Sequence, residues 1–111
     1  MARGNFLGEF EHLVMLAIVR AGGEAGGAGI LLELERHARR GASLPAIYVT
    51  LARLVRKGYL RSRELSSSPD RGGRPRRLFI VTRSGTAVMR QTRETLERMW
   101  NDGPTLAKVG R

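Results

Sequence analysis

Cysteine is absent from the 111 residues, and with it go disulfide bonds, thiolate zinc sites and thiol nucleophiles. Long apolar runs are missing too. The longest uncharged apolar stretch, Leu13 to Val19, falls far short of the ~20 residues that a membrane-spanning helix needs. The opening Met1-Ala2-Arg3-Gly4-Asn5-Phe6 has neither the apolar segment nor the cleavage site of a secretory signal. These absences predict a soluble, cytoplasmic chain. Catalytic signatures are lacking as well, with no G-x-S-x-G, no G-x-x-x-x-G-K-[ST] and no G-x-G-x-x-G. His12 and His37 have no second histidine or cysteine at metal-ligand spacing, and Glu33 and Glu35 point to different faces of one helix. The expectation is of no enzyme, no metal and no cofactor.

Negative charge is also scarce. Twenty Lys and Arg stand against ten Asp and Glu, a formal net charge of +10, and eighteen of the twenty are Arg. So basic a single small domain calls for a polyanionic partner, nucleic acid first. The charge is segregated along the chain. Residues 1–35 carry two bases and five acids, whereas residues 36–83 carry thirteen bases and two acids, a local excess of +11. The nucleic-acid surface belongs in that middle segment.

Periodicity supplies the scaffold. Phe6, Phe10, Leu13, Val14, Ala17 and Ile18 predict a first helix over about Gly8 to Arg20. Five glycines between Gly22 and Gly29 interrupt it as a flexible connector. Ile30, Leu31, Leu34 and Ala38 share one face of a second helix, with Gly41 as its left-handed cap. Ser43 as N-cap and Pro45 in the first turn open a third, which buries Ile47, Leu51, Leu54 and Val55 and stops at Arg56-Lys57-Gly58. Two β-like runs follow, Tyr59 to Leu65 and Arg76 to Val81, around a loop rich in turn-formers. Thr82 caps a last helix that ends near Gly103-Pro104. The chain is therefore α+β, three helices, a two-stranded hairpin and a fourth helix.

That order is the layout of a winged helix-turn-helix, in which the third helix enters the major groove and the hairpin, or wing, follows the backbone or minor groove. Away from its apolar face the third helix presents Ala46, Val49, Arg53 and Arg56, small residues that admit close approach and arginines that reach guanine or phosphate. Ser43, Tyr48 and Thr50 complete the candidate DNA-contacting set on this helix. The hairpin loop reads Arg71-Gly72-Gly73-Arg74-Pro75-Arg76-Arg77, and its Arg74, Arg76 and Arg77 are candidates for phosphate or minor-groove contact. A winged-helix module that binds structured RNA, and a protein-interaction domain whose charge serves solubility, are the alternatives.

The motifs Leu7-Gly8-Glu9-Phe10-Glu11, Ala46-Ile47-Tyr48-Val49-Thr50-Leu51-Ala52-Arg53-Leu54, Lys57-Gly58-Tyr59-Leu60, Gly72 to Phe79 and Thr82-Arg83-Ser84-Gly85 occur in an order and spacing that closely resemble the PadR family of bacterial transcriptional regulators. The resemblance covers roughly residues 6–100. It implies a winged-helix DNA-binding repressor, homodimeric through its C-terminal helix, acting on a palindromic operator and released by a small aromatic effector. A single C-terminal helix matches the smaller subfamily. The chain departs from the family in one place, reading Gly27-Ala28-Gly29 where Tyr-Gly is usual. On this basis residues 6–82 form the DNA-binding domain, 83–102 the dimerisation helix and 103–111 a flexible tail. Val88, Met89, Thr92, Leu96 and Met99 form the expected dimer stripe. Trp100, the only tryptophan, resembles the tryptophan on which some PadR-like regulators stack planar compounds, with Met99 and Met15 as an adaptable lining.

Overall fold

Gly8 holds the extended backbone that precedes a helix, and the Glu11 carboxylate reaches back to accept its N–H at 2.9 Å. Helix α1 (Glu9–Arg20) follows, with acidic residues in its first turn and Arg20 in its last, the arrangement that complements the helix dipole. Val14, Met15, Ala17 and Ile18 face inward. The computed structural model describes residues 6–66, 76–101 and 105–110.

The glycine-rich stretch is more than a connector. Gly22 and Gly23 turn the chain at positive φ, 103° and 98°, where only glycine is unstrained. Glu24–Ala25 then forms a two-residue strand, β1. Helix α2 (Gly27–Glu33) continues into a wider π-helical turn, Leu34–Ala38. That widening moves the end of the helix forward. Arg39, not the expected Gly41, takes the left-handed cap (φ 51°), its N–H reaching back to the Leu34 carbonyl.

Helix α3 (Leu44–Arg56) starts as its sequence dictates. The Ser43 hydroxyl accepts the Ala46 N–H at 3.2 Å, Pro45 lies in the first turn, and Gly58 ends the element at φ 82°. Strands β2 (Leu60–Leu65) and β3 (Arg76–Val81) pair antiparallel from Leu60↔Val81 to Leu65↔Arg76. On the other edge of β3, Glu24 pairs with Ile80 and Ala25 with Phe79, so the sheet has three strands in the order β1-β3-β2. Helix α4 (Arg83–Asn101) is capped by Thr82, whose hydroxyl accepts the Gly85 N–H at 3.1 Å. A short 3₁₀ turn, Leu106–Lys108, lies inside the segment expected to be a tail.

One core joins every layer. Met15 and Ile18 of α1, Ile30 of α2, Ile47, Leu51 and Leu54 of α3, Leu60 and Phe79 of the sheet and Val88 and Met89 of α4 belong to the same cluster. The boundary expected at residue 82 therefore does not divide it. The dimer stripe is corrected in the same way. Val88, Met89 and Thr92 are buried by their own chain, and the Thr92 hydroxyl accepts the Leu7 N–H at 3.0 Å. Beyond Thr92 the helix leaves the body, and Leu96, Met99 and Trp100 are exposed. Among the described residues no helix is long and apolar enough to cross a membrane.

Candidate nucleic-acid interface

The outward face of α3 is continuous. Ala46, Val49, Ala52, Arg53 and Arg56 are all exposed, and Val49 is 60% accessible although nothing polar recommends it to water. Ser43 is exposed at the start of this face, its hydroxyl already engaged as the helix cap. Thr50 does not join them. It is buried, because its position on the helix turns it towards the core beside Ile47 and Leu51, so it is not a contact residue. Tyr48 is half accessible and leans on the start of α2. A Cβ on Gly27 would lie 2.6 Å from the Tyr48 ring, and Tyr48 sits 6.4 Å from the Phe79 ring, centroid to centroid. The Tyr48 ring thus occupies the space beside α2 that the glycine leaves open.

Counter-charges sort the cations around this face. Glu11 is only 7% accessible, yet its carboxylate accepts the Lys57 ammonium at 2.9 Å and lies 3.8 Å from the Arg53 guanidinium. Burial pushes its carboxyl up, but the Gly8 N–H and the Lys57 and Arg53 charges outweigh that and hold it below the ordinary 4.5. On the sheet, Arg63 reaches across β3 to grip Glu24 with two hydrogen bonds, at 2.5 and 3.0 Å. The Arg63 hydrogen bond holds the Glu24 carboxyl low, and the same contact raises Arg63. Arg77 donates to Glu64 and to Ser62, both at 3.1 Å, and Arg40 is paired with Glu9 while lying over the Phe10 ring. Among the described residues Arg36, Arg39, Arg56 and Arg76 form no carboxylate ion pair, and Arg61 forms none either but adds its charge to the field on Glu24. Arg74 lies outside the described residues, as does the rest of segment 67–75.

The residues expected to hold a small molecule do not come together. Met15 is fully buried with its methyl against Gly85, so it is a core residue and cannot line a surface site. Met99 is exposed. Trp100 instead borders an open hollow of about 540 Å³ with His12, Leu16, Arg93, Leu96 and Glu97. Partial burial lowers the His12 imidazole, which favours its neutral form there. His37 belongs to a surface cluster in which Arg20 donates to its Nδ1 at 3.0 Å and Glu33 lies 3.6 Å from its Nε2. Among the described residues no three His, Asp or Glu side chains gather as a metal site would require.

Three helices, a three-stranded sheet built on a hairpin and a helix that leaves the body decide the architecture. The fold is a winged helix. Solved structures share it. A PadR-like transcription factor from Bacteroides fragilis superposes with a TM-score of 0.71 at 22% identity, covering 84% of each chain. A winged-helix DNA-binding protein from STIV gives 0.67 at 14% identity, over 84% of this chain and 92% of that one. PadR of Bacillus subtilis in complex with operator DNA gives 0.63 at 17% identity, with 86% of this chain matched to 49% of the other. What this winged helix shares with them is the fold. No family model matches the chain, and no curated protein matches it in sequence.

Proposed function

We propose that the protein is a DNA-binding transcriptional regulator of the PadR type, a repressor that binds a palindromic operator as a homodimer and is relieved by a small aromatic ligand. One observation carries the DNA-binding reading: the exposed face of α3 combines the small and β-branched residues Ala46, Val49 and Ala52 with Arg53 and Arg56, on a fold whose hairpin carries the chain's densest run of arginine. A smooth helix flank with arginines at its far end suits a major groove, where guanine offers two acceptors to one guanidinium. The likeness in fold to PadR, solved in complex with operator DNA, supports a DNA partner. Homodimerisation rests on Leu96, Met99 and Trp100, which project on α4 and leave more than half of their surface exposed. A two-fold partner covering them places two α3 helices about one duplex turn, ~34 Å, apart. The hollow beside Trp100, flanked by Glu97, is the place we assign to a planar ligand.

The test is a salt-resolved titration against a palindromic duplex selected from a random pool and against RNA of equal length. Arg53→Ala is expected to relax sequence preference by about 1–3 kcal/mol, the worth of one bidentate base contact. Arg74→Ala is expected to weaken all duplexes alike and to reduce the log–log salt slope by about 0.9. Wild-type binding by both variants refutes this surface, and preference for the RNA refutes the regulator.

A further inference from the structure

The charge most out of place is Glu11. It is a carboxylate set against two cations at the end of α3, it is nearly inaccessible, and DNA repels it. Its geometry explains its presence. One oxygen, Oε1, is fixed by the Gly8 N–H at 2.9 Å, which anchors the group to the start of α1. The other, Oε2, points at the last turn of α3, 2.9 Å from Lys57 Nζ and 3.8 Å from Arg53 Nη1. Both cations keep more than two fifths of their side-chain surface in water, so each can also reach out from α3.

We propose that Glu11 is a specificity-determining residue of the DNA interface, an internal counter-charge that duplex phosphates must displace to recruit Lys57 and Arg53. This rests on the DNA-binding function proposed above. A phosphate that draws either cation away strands a buried carboxylate without its partner, which is unfavourable. A base edge that engages Arg53 beside Glu11 does not. Indiscriminate binding, which is driven by phosphate neutralisation, is therefore suppressed more than binding at a cognate site. Glu11 acts through the two cations and touches no DNA itself.

Glu11→Gln keeps the shape and removes the charge, so both cations become available to phosphate. Its log–log salt slope on a random-sequence duplex should steepen by up to about 1.8, roughly a further tenfold loss of affinity between about 50 and 200 mM salt. The ratio of cognate to random affinity should fall with it. Lys57→Gln supplies a second reading in the unaltered protein. The random-duplex slope should hardly change, because Glu11 already neutralises Lys57, whereas in the Glu11→Gln background the same change should cost about 0.9 of slope. A Lys57→Gln variant that loses that slope in the wild-type background overturns the proposal, as does a folded Glu11→Gln variant with unchanged slope and ratio. A wild-type chain that binds no duplex overturns the regulator itself, and this inference with it.

Discussion

Alanine at position 85 should destabilise the protein although glycine in a helix is ordinarily the weaker residue. Gly85 lies in the first turn of α4, and a Cβ there would stand 2.2 Å from the Tyr59 carbonyl oxygen and 3.0 Å from the Met15 methyl. Neither neighbour yields easily. The carbonyl is backbone at the entry to β2 and already accepts the Thr82 N–H at 3.1 Å, while Met15 is fully enclosed. Helix propensity favours alanine by about 1 kcal/mol. Overpacking costs about 1–3 kcal/mol, and a weakened Thr82 hydrogen bond adds about 0.5–1.5 kcal/mol. The balance is a net loss of about 1–3 kcal/mol, or roughly 4–12 °C in melting temperature at about 4 °C per kcal/mol. Gly29→Ala is the matched control, since it lies within α2 and a Cβ there meets nothing within 4 Å. It should gain up to about 1 kcal/mol. Urea unfolding followed by far-UV circular dichroism, at equal protein concentrations, reads both. Propensity alone gives the two variants the same sign, so a Gly85→Ala midpoint at or above wild type refutes the steric reasoning.

Thr92→Val should cost about 1–3 kcal/mol in the same unfolding assay, because the shape is kept while the buried Leu7 N–H loses its acceptor; Thr92→Ser should recover most of it. Glu11 is held below 4.5 in the folded chain, so its stabilisation is complete above that pH and is lost as pH falls through the lowered value. Wild type should therefore exceed Glu11→Gln by about 1–3 kcal/mol near neutrality, with the gap closing in acid, as pH-resolved melting will show. Trp100→Ala should lower the dimer fraction seen by light scattering at micromolar concentration, and planar aromatic cations should quench the fluorescence of the single tryptophan in the parent protein.

The four helices and the hairpin were legible because each carries its own local signal. Ser43 and Pro45 mark the start of α3, Gly58 marks its end, and β3 runs over the predicted Arg76 to Val81. What escaped lacks such a signal. Strand β1 is two residues long and is created by an edge of β3 that only the folded chain presents, so no alternation betrays it. The left-handed Arg39 follows from a π-turn, which has no recognised composition, and a nearby glycine drew the cap to the wrong residue. Along α4 the apolar stripe was visible, but its division was not. Periodicity places Val88, Met89, Thr92, Leu96 and Met99 on one face without saying where that face leaves the body. Thr50 fails for the same reason, as it lies at the border between the buried and exposed sectors of α3.

Charge shows most clearly what a linear reading loses. Along the sequence the acids of residues 1–35 and the bases of residues 36–83 are separate blocks. In the fold they interleave. Glu9 lies on Arg40, Glu11 on Lys57 and Arg53, and Glu24 on Arg63, while Glu64 takes Arg77 from within the basic block. Five of the block's thirteen cations thus carry a carboxylate partner. Arg36, Arg39, Arg56, Arg61, Arg76 and Arg83 form no carboxylate ion pair among the described residues, though the Arg61 charge also acts on Glu24. Phosphate contacts by all thirteen would give a salt slope near 12 per chain, whereas these six give about 5 before Arg71 and Arg74 are added. The measured slope for random duplex therefore tells the two descriptions apart. A value near 12 per chain would mean that the internal pairs open on DNA, and that the carboxylates of α1 and β1 do nothing to restrain the surface they border.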